Sequence, residues 1–510
     1  VAQLPHFVFS PSTLISAIGF MRGPDPTPAT PAGDWRAVSV DVVIPAHNEQ
    51  GNIVRCLASL VAQTRQPRTI VVVDDGSIDR TADLARAFGE FHGVNIRVVR
   101  RPVSIGKTPT IKELARTLDS DVLFVLDADT LLESPTYIER LVEELYQGVG
   151  IATACGSIQP LRERDRQAAD ESPAIRWFAD AHPWFTPTPP KRWWRRLASG
   201  ITNTYREVLY LFLQRVIFRG HMAMFGTVAN PAGCAVAYRR AYLESLFDTV
   251  EPQLGDDLTN SEDIFIGLAM LNEGYRNIQV LDVLARTVEP EVQRLPRQLY
   301  LWSSAFLQSA FYFDALLKSP FKVRKRRRFG HGGRGSGPRV EPVAVPAGSM
   351  AYAGPAPAPV AGLFSAMTNV ASGPPRIWAP AGRPAGFPAG ERRRIQEPYR
   401  QPFGREHTRI YGRPAGWALM AASVEKIAFP TVMVLMLIFR NWEGIGITLG
   451  AETLIAVAAL TTAMKGRRVE YAAKGIAVTP LRYAVLVFEL VTISRFASDL
   501  WLTGNRRWRK

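Results

Sequence analysis

Three cysteines in 510 residues, Cys56, Cys155 and Cys234, are too few and too scattered for a disulfide framework. They share no metal-ligand spacing with the seven histidines, so a cysteine–histidine zinc site is excluded too. Reduced, partly buried thiols in a cytoplasmic compartment are the expectation. Acidic charge is in deficit: 46 Asp and Glu against 61 Lys and Arg leave a net charge of +15. That balance favours anionic partners, whether phosphates, acidic lipid heads or nucleic acid. Near the start, the apolar piece at residues 14–21 is too short to span a bilayer and follows no basic region. It reads as an interfacial or packed helix rather than a signal peptide. The length itself excludes one compact core, and two or three units are expected.

What is present centres on Val122-Leu123-Phe124-Val125-Leu126-Asp127-Ala128-Asp129, a short apolar run that stops at two carboxylates. Such a run, with helical patterns on either side, suits a strand buried inside a parallel sheet. In extended backbone Asp127 and Asp129 leave the same face. Two hard oxygen donors at the carboxyl end of a strand can hold Mg²⁺ or Mn²⁺ against a diphosphate, with water and phosphate completing the shell. Taken alone, the pair is more often a solvated strand end. Further strands are predicted at 38–44, 69–73, 96–99 and 149–154. Helical stripes fall between them, at Ile53, Leu57 and Leu60, then Leu84 and Phe88, Ile111 and Leu114, and Ile138, Leu141 and Leu145. The alternation implies an α/β domain with a parallel sheet covered on both faces, binding ligands at the carboxyl ends of its strands.

Each strand end offers chemistry. The first runs into Ile44-Pro45-Ala46-His47-Asn48-Glu49, the second into Asp74-Asp75-Gly76-Ser77. A carboxylate there can accept the imide N–H of a uracil, although an Asp-Gly turn with helix capping explains the same residues structurally. Gly106-Lys107 precedes the third helix and can present a cation and backbone N–H groups to a phosphate. Ser261-Glu262-Asp263 opens another helix. Its acidic residues either complement the helix dipole or supply Asp263 as a general base toward an acceptor hydroxyl.

Residues 156–200 break the rhythm with arginine mixed among tryptophans, a composition for a membrane interface or, alternatively, for stacking on nucleic acid. Residues 201–219 and 299–317 have amphipathic helical patterns. Pro, Gly, Ala and Arg dominate 321–416, which reads as a disordered linker opened by a basic juxtamembrane run. Beyond it, 417–439 and 444–464 are long and apolar enough to span a membrane, while 481–502 is interrupted by Glu489, Arg495 and Asp499. Basic flanks place both ends of the first pair on the cytoplasmic side.

Taken in order, the Pro45–Glu49 segment, Val-Val-Asp-Asp-Gly-Ser, Gly106-Lys107, Asp-Ala-Asp and Ser-Glu-Asp resemble the family 2 inverting glycosyltransferases with the GT-A fold. The closer resemblance is to the membrane-integrated branch of cellulose, chitin and hyaluronan synthases. It covers about residues 38–310 and includes Gly233-Cys234-Ala235-Val236-Ala237-Tyr238-Arg239-Arg240 and Gly274-Tyr275-Arg276. The resemblance implies an interfacial segment (1–34), a GT-A domain (35–320, with 156–220 inserted), the linker (321–416) and transmembrane or interfacial helices (417–510). It implies a nucleotide-sugar donor, UDP-linked, with Asp75 on the uridine and Pro45, Glu49 and Asp74 supporting that pocket. Lys107 and Asp127 would face the diphosphate. Asp127 and Asp129 would hold Mg²⁺ or Mn²⁺, Asp129 as the principal ligand. Asp263, with Glu262 beside it, would be the catalytic base, and Gly233, Cys234, Gln298 and Trp302 would meet the acceptor. Glycan or lipid acceptor and membrane are the implied partners, with no nucleic acid.

The branch's Gln-x-x-Arg-Trp motif is incomplete. Gln298-Leu299-Tyr300-Leu301-Trp302 has Leu301 where arginine belongs. Arg297 shares a helix face with Leu301 and is the expected substitute; short products are expected rather than a long polymer. Two other readings stay open: transfer of one sugar to a polyprenyl phosphate, and a catalytically silent membrane scaffold or nucleic-acid binder carried by the basic tracts.

Overall fold

A computed structural model describes residues 10–22, 31–148, 150–186, 193–254, 261–273, 275–317, 415–464, 466–499 and 502. The predicted linker lies outside these residues up to 414, as do Val149, Gly274 and the basic C-terminal run.

After helix α1 (Pro11–Arg22), strands and helices alternate: β1 (Val40–Ala46), α2 (Ile53–Val61), β2 (Thr69–Asp75), α3 (Thr81–His92), β3 (Ile96–Arg101), α4 (Lys107–Thr117) and β4 (Val122–Leu126). Next come β5 (Thr130–Leu132), α5 (Tyr137–Leu145) and β6 (Ile151–Pro160). One eight-stranded sheet runs β3-β2-β1-β4-β7-β6-β8-β5, where β7 is Ala235–Arg239 and β8 is Arg276–Thr287. The first four strands are parallel, as the alternation predicts. The rest of the sheet corrects that expectation. Strand β7 enters antiparallel between β4 and β6, and β5 pairs antiparallel with β8. A late strand inserted beside an early one leaves no mark on local periodicity, so the mixed half was invisible in the pattern.

The central strands read as unbroken apolar runs because both faces are covered. Val42, Ile44, Val72 and Phe124 point into a core closed by α2, α3 and α5. Their neighbours Val43, Val71, Val73, Leu123 and Val125 point into a second core. That second core is closed by α4, α10 (Arg240–Leu254), α11 (Glu262–Glu273) and α12 (Leu295–Tyr312).

The tract after β6 is not a detached surface feature. It forms α6 (Glu163–Asp170), α7 (Pro173–Ala181) and α8 (Trp193–Phe212), then a π-helical segment, Leu213–Phe218, and α9 (Arg219–Phe225). Gln214 pins the π-helical segment to the sheet: its Oε1 accepts from Ile158 N and its Nε2 donates to Ile158 O. Along α8 the outer residues Trp193, Leu197 and Ile201 are exposed at 78, 64 and 54%. Further along, Tyr205, Val208 and Leu209 are buried in a third core.

Following α12 and α13 (Asp314–Leu317), the described chain resumes with α14 (Ala415–Ile438), α15 (Trp442–Ala463), α16 (Arg468–Ala477) and α17 (Thr479–Ser498). Helices α14 and α15 are long and apolar enough to cross a membrane, and α16 and α17 meet at a 41° bend. Four of the charges that interrupt them pair with one another. Lys426 Nζ lies 2.6 Å from Glu489 Oε1 and donates to Ser303 of α12, while Arg482 pairs with buried Glu452.

Candidate active site

The link between β4 and β5 is the centre of the site. β4 stops at Leu126, where the apolar run ends, but Asp127-Ala128-Asp129 is a turn and not the extended backbone expected. Asp127 N donates to the Cys234 carbonyl at 2.8 Å, and Thr130 N closes the turn on Asp127 O at 2.9 Å. Both carboxylates reach one cavity of about 400 Å³ because of this turn, not because of strand alternation.

Lys107, the first residue of α4, enters the same cavity. Its ammonium lies 2.6 Å from Asp127 Oδ1 and 2.9 Å from Glu262 Oε1, and it donates to Gly233 O at 3.0 Å. Burial opposes its charge, but Asp127 and Glu262 outweigh burial and hold the lysine pKa well above its ordinary value. Gly106 before it has φ of 103°, a backbone region that favours glycine, and this turns the chain into the helix.

Asp263 lies one residue into α11, after Ser261 in a left-handed conformation. Its Oδ2 accepts from Gly233 N at 3.3 Å and its Oδ1 from Ile264 N at 2.9 Å. Burial, then the neighbouring charge of Glu262, pushes its carboxyl up to about 6. Burial and the charges of Asp127 and Glu49 push Asp129 up to about 8. Among the described residues the Asp129 carboxylate accepts only from distant hydroxyls, Thr130 at 3.3 Å and Thr287 at 3.5 Å.

Five carboxylates line the cavity (Asp127, Asp129, Glu262, Asp263 and Glu289), with Lys107 as the one lysine or arginine among the lining residues. A diphosphate approaching this excess of negative charge would be repelled. The hard oxygens of Asp127 and Asp129 fit a divalent cation, which would restore the balance. Among the described residues no three carboxylates, histidines or thiols are grouped so as to hold an ion alone, so the remaining ligands of such an ion would come from water or substrate.

Gly233, Cys234, Gln298, Leu301 and Trp302 also line this cavity, whereas Pro45, Glu49, Asp74 and Asp75 do not. Asp75 instead accepts hydrogen bonds from Ser104 Oγ, Arg101 Nη1 and the backbone N–H groups of Ile105 and Gly106. Burial raises its pKa, but these donors outweigh burial and lower it. Its carboxylate thus anchors the loop that carries Lys107. Asp74 accepts from Ser77 N and pairs with Arg100 at 3.3 Å. Glu49, whose pKa burial raises, accepts from Asn52 at 2.7 Å.

Arg297 does not occupy the place expected of it, being exposed and absent from the cavity wall. The guanidinium near Trp302 comes from Arg206 of α8, 4.5 Å from the ring centroid. Sequence reasoning missed Arg206, Tyr210 and Glu289. For Glu289 a signal existed: it lies two residues beyond the carboxyl end of β8, by the same rule that singled out Asp127. The strand itself had not been recognised. Arg206 and Tyr210 carried no local signal.

The sheet and this strand-end constellation form a Rossmann-like domain of the GT-A type. The model of the family described as Glycosyl transferase family 2 matches residues 41–247, the stretch that holds Lys107, Asp127 and Asp129. Over 301 residues it is 27% identical to an N-acetylglucosaminyltransferase of Rhizobium leguminosarum bv. viciae, covering 57% of this chain and 60% of that protein. Over 121 residues it is 37% identical to an undecaprenyl-phosphate 4-deoxy-4-formamido-L-arabinose transferase of Serratia proteamaculans, covering 22% of this chain and 37% of that one. The chain spans about three fifths of the length of the first of these relatives. Among solved structures, the mannosyltransferase PcManGT from Pyrobaculum calidifontis, in complex with GDP-Man and Mn²⁺, aligns over 97% of this chain and 96% of its own, with 15% identity and a TM-score of 0.42.

Proposed function

We propose that this chain is a membrane-bound inverting transferase that moves a hexose or N-acetylhexosamine from a UDP-sugar to a glycan acceptor. The observation that carries the reading is the convergence of Lys107, Asp127, Asp129 and Asp263 on one cavity. The acceptor hydroxyl attacks the anomeric carbon from the face opposite the diphosphate. Asp263 takes the hydroxyl proton as the new C–O bond forms and the bond to the diphosphate breaks. Gly233 N and Ile264 N hold the carboxylate that receives this proton. Lys107 meets the charge left on the departing diphosphate. A divalent cation on Asp127 and Asp129, when bound, adds Lewis-acid stabilisation of the same charge.

The N-acetylglucosaminyltransferase relatives support an N-acetylglucosamine donor. A second acceptor class, a polyprenyl phosphate, is supported by the stretch shared with the undecaprenyl-phosphate transferase. The apolar lengths of α14 and α15 and the exposed Trp193, Leu197 and Ile201 support membrane attachment. Basic residues at 322–328 and Arg467-Arg468 support a cytoplasmic catalytic domain.

A nucleotide-sugar panel read by release of the nucleoside diphosphate tests the assignment. UDP-N-acetylglucosamine with Mn²⁺ is expected to give the fastest release. No release above background from any sugar nucleotide in purified membranes would overturn it, and glycolipid product extractable into organic solvent would select the polyprenyl acceptor.

A further inference from the structure

The cavity wall beside Trp302 holds a carboxylate that no step above uses. Glu289 is only 8% exposed, yet its Oε1 has no hydrogen-bond partner among the described residues. Its other oxygen, Oε2, lies 3.3 Å from Arg206 Nε, and the Tyr210 phenol donates a hydrogen bond to the same carboxylate. Arg206 is fully buried, donates through Nη2 to Gln298 Oε1, and lies over the Trp302 ring. One cation thus orders three cavity-lining side chains drawn from two parts of the chain: Glu289 beyond β8, and Gln298 and Trp302 on α12.

Leaving a buried carboxylate oxygen unpaired costs stability unless a ligand satisfies it. Arg206 already answers the charge of Glu289, unlike that of Asp129, so a neutral hydrogen-bond donor suits Oε1 better than a second cation does. An aromatic face beside a fixed acceptor atom matches a pyranose ring, which offers an apolar C–H face and hydroxyl donors at its edge.

We propose that Glu289 is a sugar-binding residue: its Oε1 accepts a hydrogen bond from a hydroxyl of a pyranose ring seated against Trp302, and Arg206 is the positioning residue that holds the two together. This rests on the transferase reading only for the identity of the sugar, which is either the hexose of the donor or a ring of the acceptor.

The test uses the full chain in detergent and measures equilibrium binding of three probes, each with Mn²⁺: UDP, UDP-N-acetylglucosamine and N-acetylchitotetraose. Glu289→Gln keeps the shape and still accepts from Arg206, but it turns an amide donor toward the cavity. It is expected to weaken binding of one sugar-bearing probe at least tenfold while UDP and Mn²⁺ affinities stay within twofold. Loss on the tetrasaccharide assigns the acceptor ring; loss of the advantage of UDP-N-acetylglucosamine over UDP assigns the donor hexose.

Unchanged sugar affinities would overturn the proposal. So would a tenfold fall in Mn²⁺ affinity, which would make Glu289 a cation ligand, or a wild-type chain that binds neither sugar probe. A wild-type chain that fails to bind UDP but whose tetrasaccharide binding still depends on Glu289 would defeat the transferase reading and leave this one standing. Arg206→Lys keeps the charge without the planar fork. It is expected to raise KM for the sugar at least fivefold with a smaller change in kcat, and a fall in kcat alone would overturn the positioning role. Thermal unfolding of each variant confirms that it is folded.

Discussion

Gly233 and Asp263 touch so closely that a Cβ on the glycine would fall 2.7 Å from the aspartate Cβ. The contact lets Gly233 N reach the carboxylate and leaves Gly233 O for Lys107. Gly233→Ala is therefore expected to push Asp263 from its place. Overpacking of this kind costs about 1–3 kcal/mol, and sugar transfer is expected to fall at least tenfold in a chain that still unfolds cooperatively. Wild-type turnover in the variant would show that the contact does not govern the base.

Asp263 separates chemistry from binding. Asp263→Asn keeps size and one of the two hydrogen bonds from backbone N–H groups but cannot take a proton, so the rate should fall roughly a hundredfold or more with UDP affinity unchanged. The ionised form is the base, and its pKa is pushed up to about 6. The wild-type rate is therefore expected to rise with pH through about 6 and level off above it, a limb that disappears in the variant. Residual rate with the same limb would locate the base elsewhere.

Asp129 links the site to stability. Its pKa is about 8 in the folded chain and about 3.9 when unfolded. The folded state thus holds a proton that the unfolded state releases, and stability falls as pH rises from about 4 to about 8. The difference in Tm between wild type and Asp129→Asn should grow in favour of the variant over that window. Mn²⁺ should narrow it at pH 8, while EDTA abolishes transfer by the wild type. A pH-independent difference in Tm would mean that the carboxylate is not held protonated.

Lys426 and Glu489 join α14 to α17, and Lys426 also reaches Ser303 on α12. Removing one member leaves a buried charge, so Glu489→Leu is expected to cost on the order of 3–5 kcal/mol. Lys426→Met with Glu489→Leu should recover most of that loss. Thermal unfolding in nanodiscs checks both, and a double variant less stable than the single one would contradict the pairing.

If α14 and α15 both cross the membrane, the turn between them, which ends at Trp442, the first residue of α15, faces away from the catalytic domain. In a chain freed of Cys56, Cys155 and Cys234, Trp442→Cys is expected to react with an impermeant maleimide in intact cells, whereas Gly335→Cys is not. The reverse pattern would invert the topology.

Much of the parallel half was legible in the residues themselves. Buried strands of a parallel sheet are apolar on both faces, so β1, β2 and β4 stand out as runs, and the helices between them show a 3.6-residue stripe. The order of Asp75, Lys107, Asp127, Asp129 and Asp263 and the apolar lengths of α14 and α15 were likewise visible. Where each carboxylate spends its oxygens was not. Asp75 was expected to meet a uracil N–H or to cap a turn, but the loop from Ser104 to Gly106 folds onto it.

The sequence by itself therefore determined which strands of the parallel half form and which acidic residues stand at their ends, because burial and turn chemistry act over a few neighbours. Only the tertiary structure decided that β7 enters antiparallel beside β4, that Arg206 rather than Arg297 approaches Trp302, and that Glu289 joins the cavity. Those contacts bring together residues from 83 to 117 positions apart. They arise from sheet pairing and helix docking, whose partners are chosen by packing over the whole domain rather than by any local pattern.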